Sequence, residues 1–465
     1  MSISKEWAAR VFSESQLGDK RRRKRLVRLV GACAAAPGAS LPVALGGARK
    51  ELDACYDLLR SKYFSYSHLV EAVAADTCAR MAAMPAQTTF LLISDTTTLS
   101  FEHPSVFEQM GTLSKRPQER GMLAHTTLAL DAQTGEVLGL LSMLLWTRPV
   151  EKHGIKHERK GRLYKDKESF KWQQAVEEVT QRLDASLLAR CIVCFDREAD
   201  VPELMNYLES QGLRFIIRSN YNRKLSSHEK KLREQVLAQP VVARSQLALE
   251  QRGGRKARAV KLEVRCAQVT LHAPYRRVAE RVRDMPVSVV MYREVPSRQN
   301  QAKAICWVLL SSEPLDLDNL SVWLERQRQH YAKRWRCEEF HRCWKSDVGV
   351  ERMRLQSIDS LKKIVVIKAA IATQLVELSK NTQLEQTSCL ELFDESEWVI
   401  LWKLTEQGPP PEQPPNAQWA YRAVAKLGGW YDSKRTGTAS PATLARGLEK
   451  LELICLGASL SLTFD

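Results

Sequence analysis

The run YAKRWRCEEFHRCWK, residues 331–345, carries a dense set of side chains that could do chemistry. No Pro or Gly interrupts it, so the sequence predicts one continuous helix. At about 100° per residue, Tyr331, Arg334, Glu338 and Lys345 fall within an arc of about 60°. That face presents a phenol, a guanidinium, a carboxylate and an ammonium, where a core face would be apolar. Such a set suits a cation at Glu338 and a phosphate at Arg334 and Lys345. Glu339 lies about 100° round the helix and should miss the face. The competing explanation is a solvated face laced with i,i+3 and i,i+4 charge pairs.

Two carboxylates upstream change the weighting. The apolar stretch TTFLLISD, residues 88–95, predicts a buried strand ending at Asp95, and Cys191–Phe195 predicts another running into Asp196. Carboxylates at strand ends lie at the rim of a sheet, where open α/β sheets place their ligands. An Asp after a strand also serves ordinary turns, so neither residue makes a site alone. Both, together with Glu338, do.

The elements that must position these residues follow from periodicity. After the strand to Asp95 come two strand-like stretches, Ala124–Ala132 and Glu136–Trp146, joined by a hairpin turn at 131–135. Lys165–Leu188 reads as a helix, then the Cys191–Phe195 strand, a helix over Val201–Ser210 and a strand over Arg214–Arg218. This order fits an α/β, ribonuclease-H-like sheet. Residues 219 to about 300 read as a β-rich insertion, with apolar–polar alternation predicting separate strands at Val260–Cys266 and Val269–His272 and a basic, Gly-containing turn at 251–258. A further strand spans 304–310, and residues 361–380 form an apolar helix. The division expected is 1–70, a small helical N-terminal module; 71–218, the first part of the core; 219–316, the insertion; 317–380, the second part of the core; and 381–465, a helical C-terminal region. PPPEQPP, residues 409–415, forms a rigid elbow within that last region.

The 465 residues carry 70 Lys and Arg against 54 Asp and Glu, a net charge of +16 that suggests a polyanionic partner. The run from Lys20 to Arg25, with Arg21, Arg22 and Arg25, suits contacts to DNA phosphates. No apolar run is long enough for a membrane span, and the first residues lack a signal-peptide layout. Eleven scattered cysteines argue against a disulfide framework and for a reducing cytoplasm. Cys191 and Cys194 form a CxxC on a strand, where the thiols would point to opposite faces, so zinc is not expected. His153 and His157 have helical spacing without an HExxH context and read as surface loop.

The pattern Tyr331-x2-Arg334-x3-Glu338-x6-Lys345, with Asp95 and Asp196 upstream, resembles the YREK motif of bacterial cut-and-paste DDE transposases. ISDTTTLS around Asp95, FDREAD around Asp196, RFIIRS around Arg218 and WVLLSSEP around Trp307 are similar to segments of that family. So are LGDKRRRKRL near the N-terminus and QWAYRAVAKLGGWYDSKRTGTAS near the C-terminus, so the resemblance covers nearly the whole chain. It departs at Pro202 and after Gly447.

The resemblance implies a ribonuclease-H-like DDE core with the β insertion, an N-terminal DNA-binding domain and a C-terminal dimerisation region. It implies Asp95, Asp196 and Glu338 as catalytic ligands of Mg²⁺ or Mn²⁺, two ions per site. Carboxylates of this kind hold paired hard cations about 3.5–4 Å apart. It further implies Tyr331, Arg334, Lys345 and Arg218 as phosphate contacts, and Trp307 as the surface on which a flipped base stacks during a hairpin intermediate. The expected partners are double-stranded DNA and a second copy of the chain, with no membrane, in a bacterial cytoplasm. Two other classes stay open: a non-catalytic DNA-binding inhibitor on the same fold, and a stand-alone hydrolytic nuclease.

Overall fold

The computed structural model describes residues 3–114, 116, 118–149, 162–226, 230–249, 258–274, 281–295, 304–381, 384–433 and 436–461. His153, His157 and most of the basic turn at 251–258 lie outside them. None of the helices among the described residues is long and apolar enough to cross a membrane. The chain divides into two compact units, one of Met1–Thr88, Thr96–Ile155 and Arg336–Asp465, the other of Thr89–Asp95 and Lys156–Trp335.

The first unit is built around the helix Ile358–Leu378, whose sequence is apolar on nearly every side and whose residues are almost all buried. Helices Lys20–Ala35, Arg49–Arg60 and Tyr66–Ala83 pack against it. Two lysines interrupt its apolar surface and both are fully buried. Each is satisfied by backbone carbonyls at or just past a helix C-terminus. Lys363 Nζ donates to the carbonyls of Leu59 (2.9 Å) and Ser61 (2.7 Å), at the C-terminus of Arg49–Arg60. Lys368 Nζ donates to the carbonyl of Pro37 (2.7 Å). A buried ammonium is costly unless hydrogen-bonded, and the carbonyl end of a helix is a favourable place for one. The N-terminal helices are thus tied to the central helix by charge as well as by packing.

Strand β1 (Phe90–Ser100) gives its second half, from Thr96, to this unit. β2 (Gly111–Thr112), β3 (Arg120–Asp131) and β4 (Val137–Trp146) follow, β3 and β4 antiparallel. The turn expected at 131–135 is present. Asp131 Oδ1 accepts from the Gln133 (2.6 Å) and Thr134 (2.8 Å) amides, and Gly135 supplies the positive φ of 75°.

The second unit is a sheet in the order β1, β5, β6, β10, β9, β8, β7, using β5 (Cys191–Phe195), β6 (Arg214–Arg218), β7 (Ala243–Leu249), β8 (Arg258–Leu271), β9 (Met285–Glu294) and β10 (Cys306–Ser311). β1, β5 and β6 are parallel, and every later pairing is antiparallel. The β-rich stretch therefore extends this sheet through β10 rather than forming a layer of its own. The two strands expected at 260–272 are one, because β8 pairs without interruption along β9.

Three further expectations about elements are corrected. Asp95 is not at a strand end: β1 continues to Ser100, and what ends at Ser94 is its buried half. Lys165–Leu188 is two helices, Lys171–Arg182 and Ala185–Ala189, because Leu183 turns extended and Asp184 caps the second by accepting from the Leu187 amide at 2.9 Å. Nor is residues 331–345 one helix. Leu320–Lys333 ends in tight turns, with the Arg334 and Trp335 amides bonding three residues back at 3.1 and 3.2 Å. Arg336–Arg342 starts afresh and runs into a π turn at Cys343–Asp347. A helix face reckoned at 3.6 residues per turn does not carry through those changes of pitch.

Candidate active site and nucleic-acid surface

Strand register assembles the acidic part of the site in the second unit. β1 and β5 pair with Leu92 opposite Val193 and Ile93 opposite Cys194. Two residues further along the same register, Asp95 stands opposite Asp196, which remains extended at φ −79° and ψ −175°. β5 and β6 pair with Phe195 opposite Ile217, so the next position sets Asp196 opposite Arg218. Register partners of parallel strands share a face, and adjacent strands lie about 4.8 Å apart. Asp95, Asp196 and Arg218 thus form one rung of carboxylate, carboxylate and guanidinium.

The Leu320–Lys333 helix and the turn after it bring further charge to this rung. Arg334 Nη1 donates to Asp95 Oδ2 at 3.1 Å, with both side chains mostly covered. Tyr331 is 6% exposed. Burial pushes its phenol up, while Arg334 and Arg218 pull it down, Arg218 also by hydrogen-bonding to it. Trp307, on β10, is half-buried with its ring 5.8 Å from that of Tyr331, edge to face. Glu313, just past β10, accepts from Gln327 Nε2 at 2.8 Å and pairs with Arg214 at 3.2 Å, holding this helix against the sheet.

The carboxyl of Asp196 is pushed above its usual range. Burial is the main cause; the Glu198 amide, donating at 2.8 Å, pulls it back, and the charge of Asp95 pushes it up again. Two half-buried carboxylates with one guanidinium on Asp95 are a donor set that a hard divalent cation would satisfy. Among the described residues, no group of three or more His, Cys, Asp or Glu side chains is gathered as a ready metal-binding set.

Glu338 and Lys345 belong to the first unit. Glu338 lies in the first turn of Arg336–Arg342, and its neighbour Glu339 is paired with Arg336 at 2.6 Å. Lys345 Nζ donates to the Thr98 carbonyl at 2.9 Å and lies 3.4 Å from Glu351 Oε1, which accepts from the Ser100 amide at 2.8 Å. The structure thus brings Asp95, Asp196, Arg218, Trp307, Tyr331 and Arg334 into one cluster, within the second unit.

The basic run of the N-terminal module opens the Lys20–Ala35 helix, capped by Asp19, whose carboxylate accepts from the Arg21 amide at 2.7 Å. Lys20, Arg21, Lys24, Arg25 and Arg28 are exposed at i, i+1, i+4, i+5, i+8 spacing, one face of the helix. Arg22 is different. Its guanidinium donates to the Leu17 carbonyl at 3.0 Å and lies 3.7 Å over the Tyr63 ring.

Sequence reasoning passed over Asp200, although FDREAD contains it. Its side chain is fully buried and pairs with Arg223 at 2.7 Å. The only signal was its place four residues after Asp196; its burial depends on partners that follow β6.

Residues 4–63 match the family model for transposase DNA-binding, and residues 165–375 match the transposase DDE domain. Together these matches support a DDE transposase, with a mixed α/β core that fits the ribonuclease-H-like type. DDE transposase domains generally use divalent metal ions. Asp196, Arg218, Trp307, Tyr331, Arg334, Glu338 and Lys345 lie inside the second match, and Asp95 precedes it. Among solved structures the chain is similar to a piggyBac transposase in a synaptic complex with hairpin DNA, at 11% identity and a TM-score of 0.34. That similarity covers 81% of this chain and 66% of the other.

Proposed function

We propose that the protein is a DNA transposase that binds the ends of its own mobile element, excises it and inserts it elsewhere. The observation that carries this reading is the rung of Asp95 and Asp196 on adjacent parallel strands, in a chain matching both a transposase DNA-binding segment and a DDE domain. Glu338 would be the third carboxylate, and the three would hold Mg²⁺ or Mn²⁺, two ions per site. Their chemistry there would be to activate the attacking oxygen and stabilise the leaving one. Water attack on the scissile phosphodiester frees a 3′-hydroxyl. That hydroxyl attacks the opposite strand to close a hairpin, which is reopened before the end joins target DNA. Tyr331, Arg334, Lys345 and Arg218 hold the phosphates flanking the cut, and Trp307 stacks on a flipped base. Arg21 and Arg25 belong to the surface that first captures DNA, and Arg22 backs that surface through its contacts to the Leu17 carbonyl and the Tyr63 ring.

The reading includes a homodimer formed through the C-terminal region. Exposed Leu453, Ile454 and Leu456 on the helix Pro441–Ser461 support it. Two contacts favour an alternative, a chain that binds ends without cutting them: Arg334 occupies the Asp95 carboxylate, and Lys345 is bonded to the Thr98 carbonyl. A cleavage assay decides between the two. It uses purified protein, Mg²⁺ and DNA carrying the inverted repeats that flank the gene. Hairpin-ended excision, lost in EDTA and in Glu338→Ala, establishes the transposase. Tight end binding with no cleavage in Mg²⁺ or Mn²⁺ establishes the inhibitor.

A further inference from the structure

The segment leaving β6 is held by a single buried carboxylate. Asp200 Oδ2 accepts from the Asn220 amide (2.7 Å), the Tyr221 amide (3.0 Å) and Ser219 Oγ (3.4 Å). Its Oδ1 accepts from Arg223 Nε (2.9 Å) and Nη2 (2.7 Å), and its carbonyl from Arg223 Nη2 (2.6 Å). A fully buried carboxylate costs several kcal/mol unless its lone pairs are filled, and here they are. The clamp fixes the shape of a stretch that begins one residue past Arg218.

What that fixed stretch presents is an aromatic ring in water. Tyr221 is 58% exposed, in contrast with the buried Tyr292 and Tyr331 of the same unit. The Arg223 guanidinium lies 5.5 Å from the ring centroid, within range to steady it by cation–π attraction. Exposed Lys224, Lys231 and Arg233 follow in the chain. Tyr221 is three residues from Arg218, so its Cα lies within about 11 Å of that of Arg218, the guanidinium end of the rung. A rigidly backed, exposed ring in a stretch of chain rich in exposed cations is the chemistry that receives a nucleobase: the ring meets the π face, and the cations meet the phosphates on either side.

We propose that Tyr221 is a stacking site for an unpaired nucleotide of bound DNA, presented by the Asp200 clamp. The proposal rests on the DNA-binding reading above and adds a contact which that reading does not contain. It predicts a preference for DNA with a single-stranded segment, carried by the ring and independent of the hydroxyl.

The test compares two fluorescent probes at one fixed salt concentration: a blunt duplex, and the same duplex with a short oligo-dT tail. The full-length protein should bind the tailed probe about tenfold more tightly, the scale of one base–aromatic stack. Tyr221→Ala should erase that preference while leaving blunt-duplex affinity unchanged, and Tyr221→Phe should keep it. Cross-linking of a 5-bromouracil-substituted tail should map to Tyr221. A Tyr221→Ala protein that retains the full preference overturns the proposal. So does wild-type protein that binds both probes equally, which leaves the DNA-binding reading standing; binding neither removes both. Loss of self-association in Tyr221→Ala with unchanged DNA affinities would assign the ring to a protein interface and also overturn the stacking site.

Discussion

Asp95 and Asp196, 101 residues apart in sequence, continue the same register on adjacent parallel strands. The relation is dictated by β1 and β5, whose residues Phe90–Ser94 and Cys191–Phe195 are buried up to that rung. Beyond it the chains become partly exposed, so the carboxylates stand where the core gives way to solvent. That position explains why burial and mutual repulsion act on Asp196 without sealing it from a substrate.

Replacing a carboxylate of the proposed triad should separate catalysis from binding. Asp95→Ala, Asp196→Ala and Glu338→Ala are each expected to reduce cleavage of terminal-repeat DNA by about a thousandfold or more, with end affinity largely kept. Asp196→Asn has a second signature. Because the carboxyl is raised in the folded chain, the folded state takes up protons more readily than the unfolded one, and stability falls as pH rises through that interval. The neutral amide removes this penalty, so Asp196→Asn should unfold at a higher temperature than wild type at pH 7 while being inactive. An unchanged cleavage rate in any one variant would remove that residue from the triad.

Arg334 gives a prediction of opposite signs. Its contact at 3.1 Å neutralises Asp95 when no DNA is present. Arg334→Ala should therefore bind Mn²⁺ several-fold more tightly in the DNA-free state, read by calorimetry or electron paramagnetic resonance. The same variant should cleave DNA more slowly, through loss of a phosphate contact. Weaker Mn²⁺ binding would show that Arg334 organises the carboxylates instead of competing for them.

His330 makes the second unit sensitive to acid. Burial, with Lys333, Arg326 and Arg214 nearby, lowers its imidazole from the ordinary 6.5 to about 4. Between those values the unfolded chain binds the proton and the folded one does not, so stability is lost as pH falls. At pH 5 the loss is about 2 kcal/mol. Hydrogen exchange of Leu320–Lys333 should accelerate between pH 7 and pH 5 beyond the intrinsic pH effect, and His330→Gln should remove the excess.

Much of this was legible in the sequence where chemistry is local. Asp95 and Asp196 announce themselves by following apolar runs, and the hairpin at Asp131–Gly135 by its turn residues. The register that unites them is not local: nothing between Ser94 and Phe195 says which rung meets which. The break after Lys333 was hidden for a related reason. YAKRWRC contains no residue that ends a helix by itself, and the tight turns there arise from carbonyl choice, three residues back instead of four. Asp200 was written in FDREAD but its role is set by Ser219–Arg223, which a reading along the chain places in another element.

The basic run offers the sharpest contrast between composition and structure. Six consecutive cations from Lys20 to Arg25 look equivalent in sequence, yet Arg22 is committed to the Leu17 carbonyl and the Tyr63 ring while Arg21 and Arg25 face solvent. A cation that meets phosphate releases counterions, so each such residue contributes to the salt dependence of binding. Arg21→Ala and Arg25→Ala should each weaken DNA binding and lower the slope of log affinity against log salt by about one. Arg22→Ala should leave that slope unchanged and instead destabilise the N-terminal helices by about 1 kcal/mol, through the lost carbonyl bond and ring contact. Affinity titrations at several salt concentrations, paired with thermal unfolding, read both effects. A slope change in Arg22→Ala equal to that of Arg25→Ala would mean that the guanidinium leaves Tyr63 when DNA arrives.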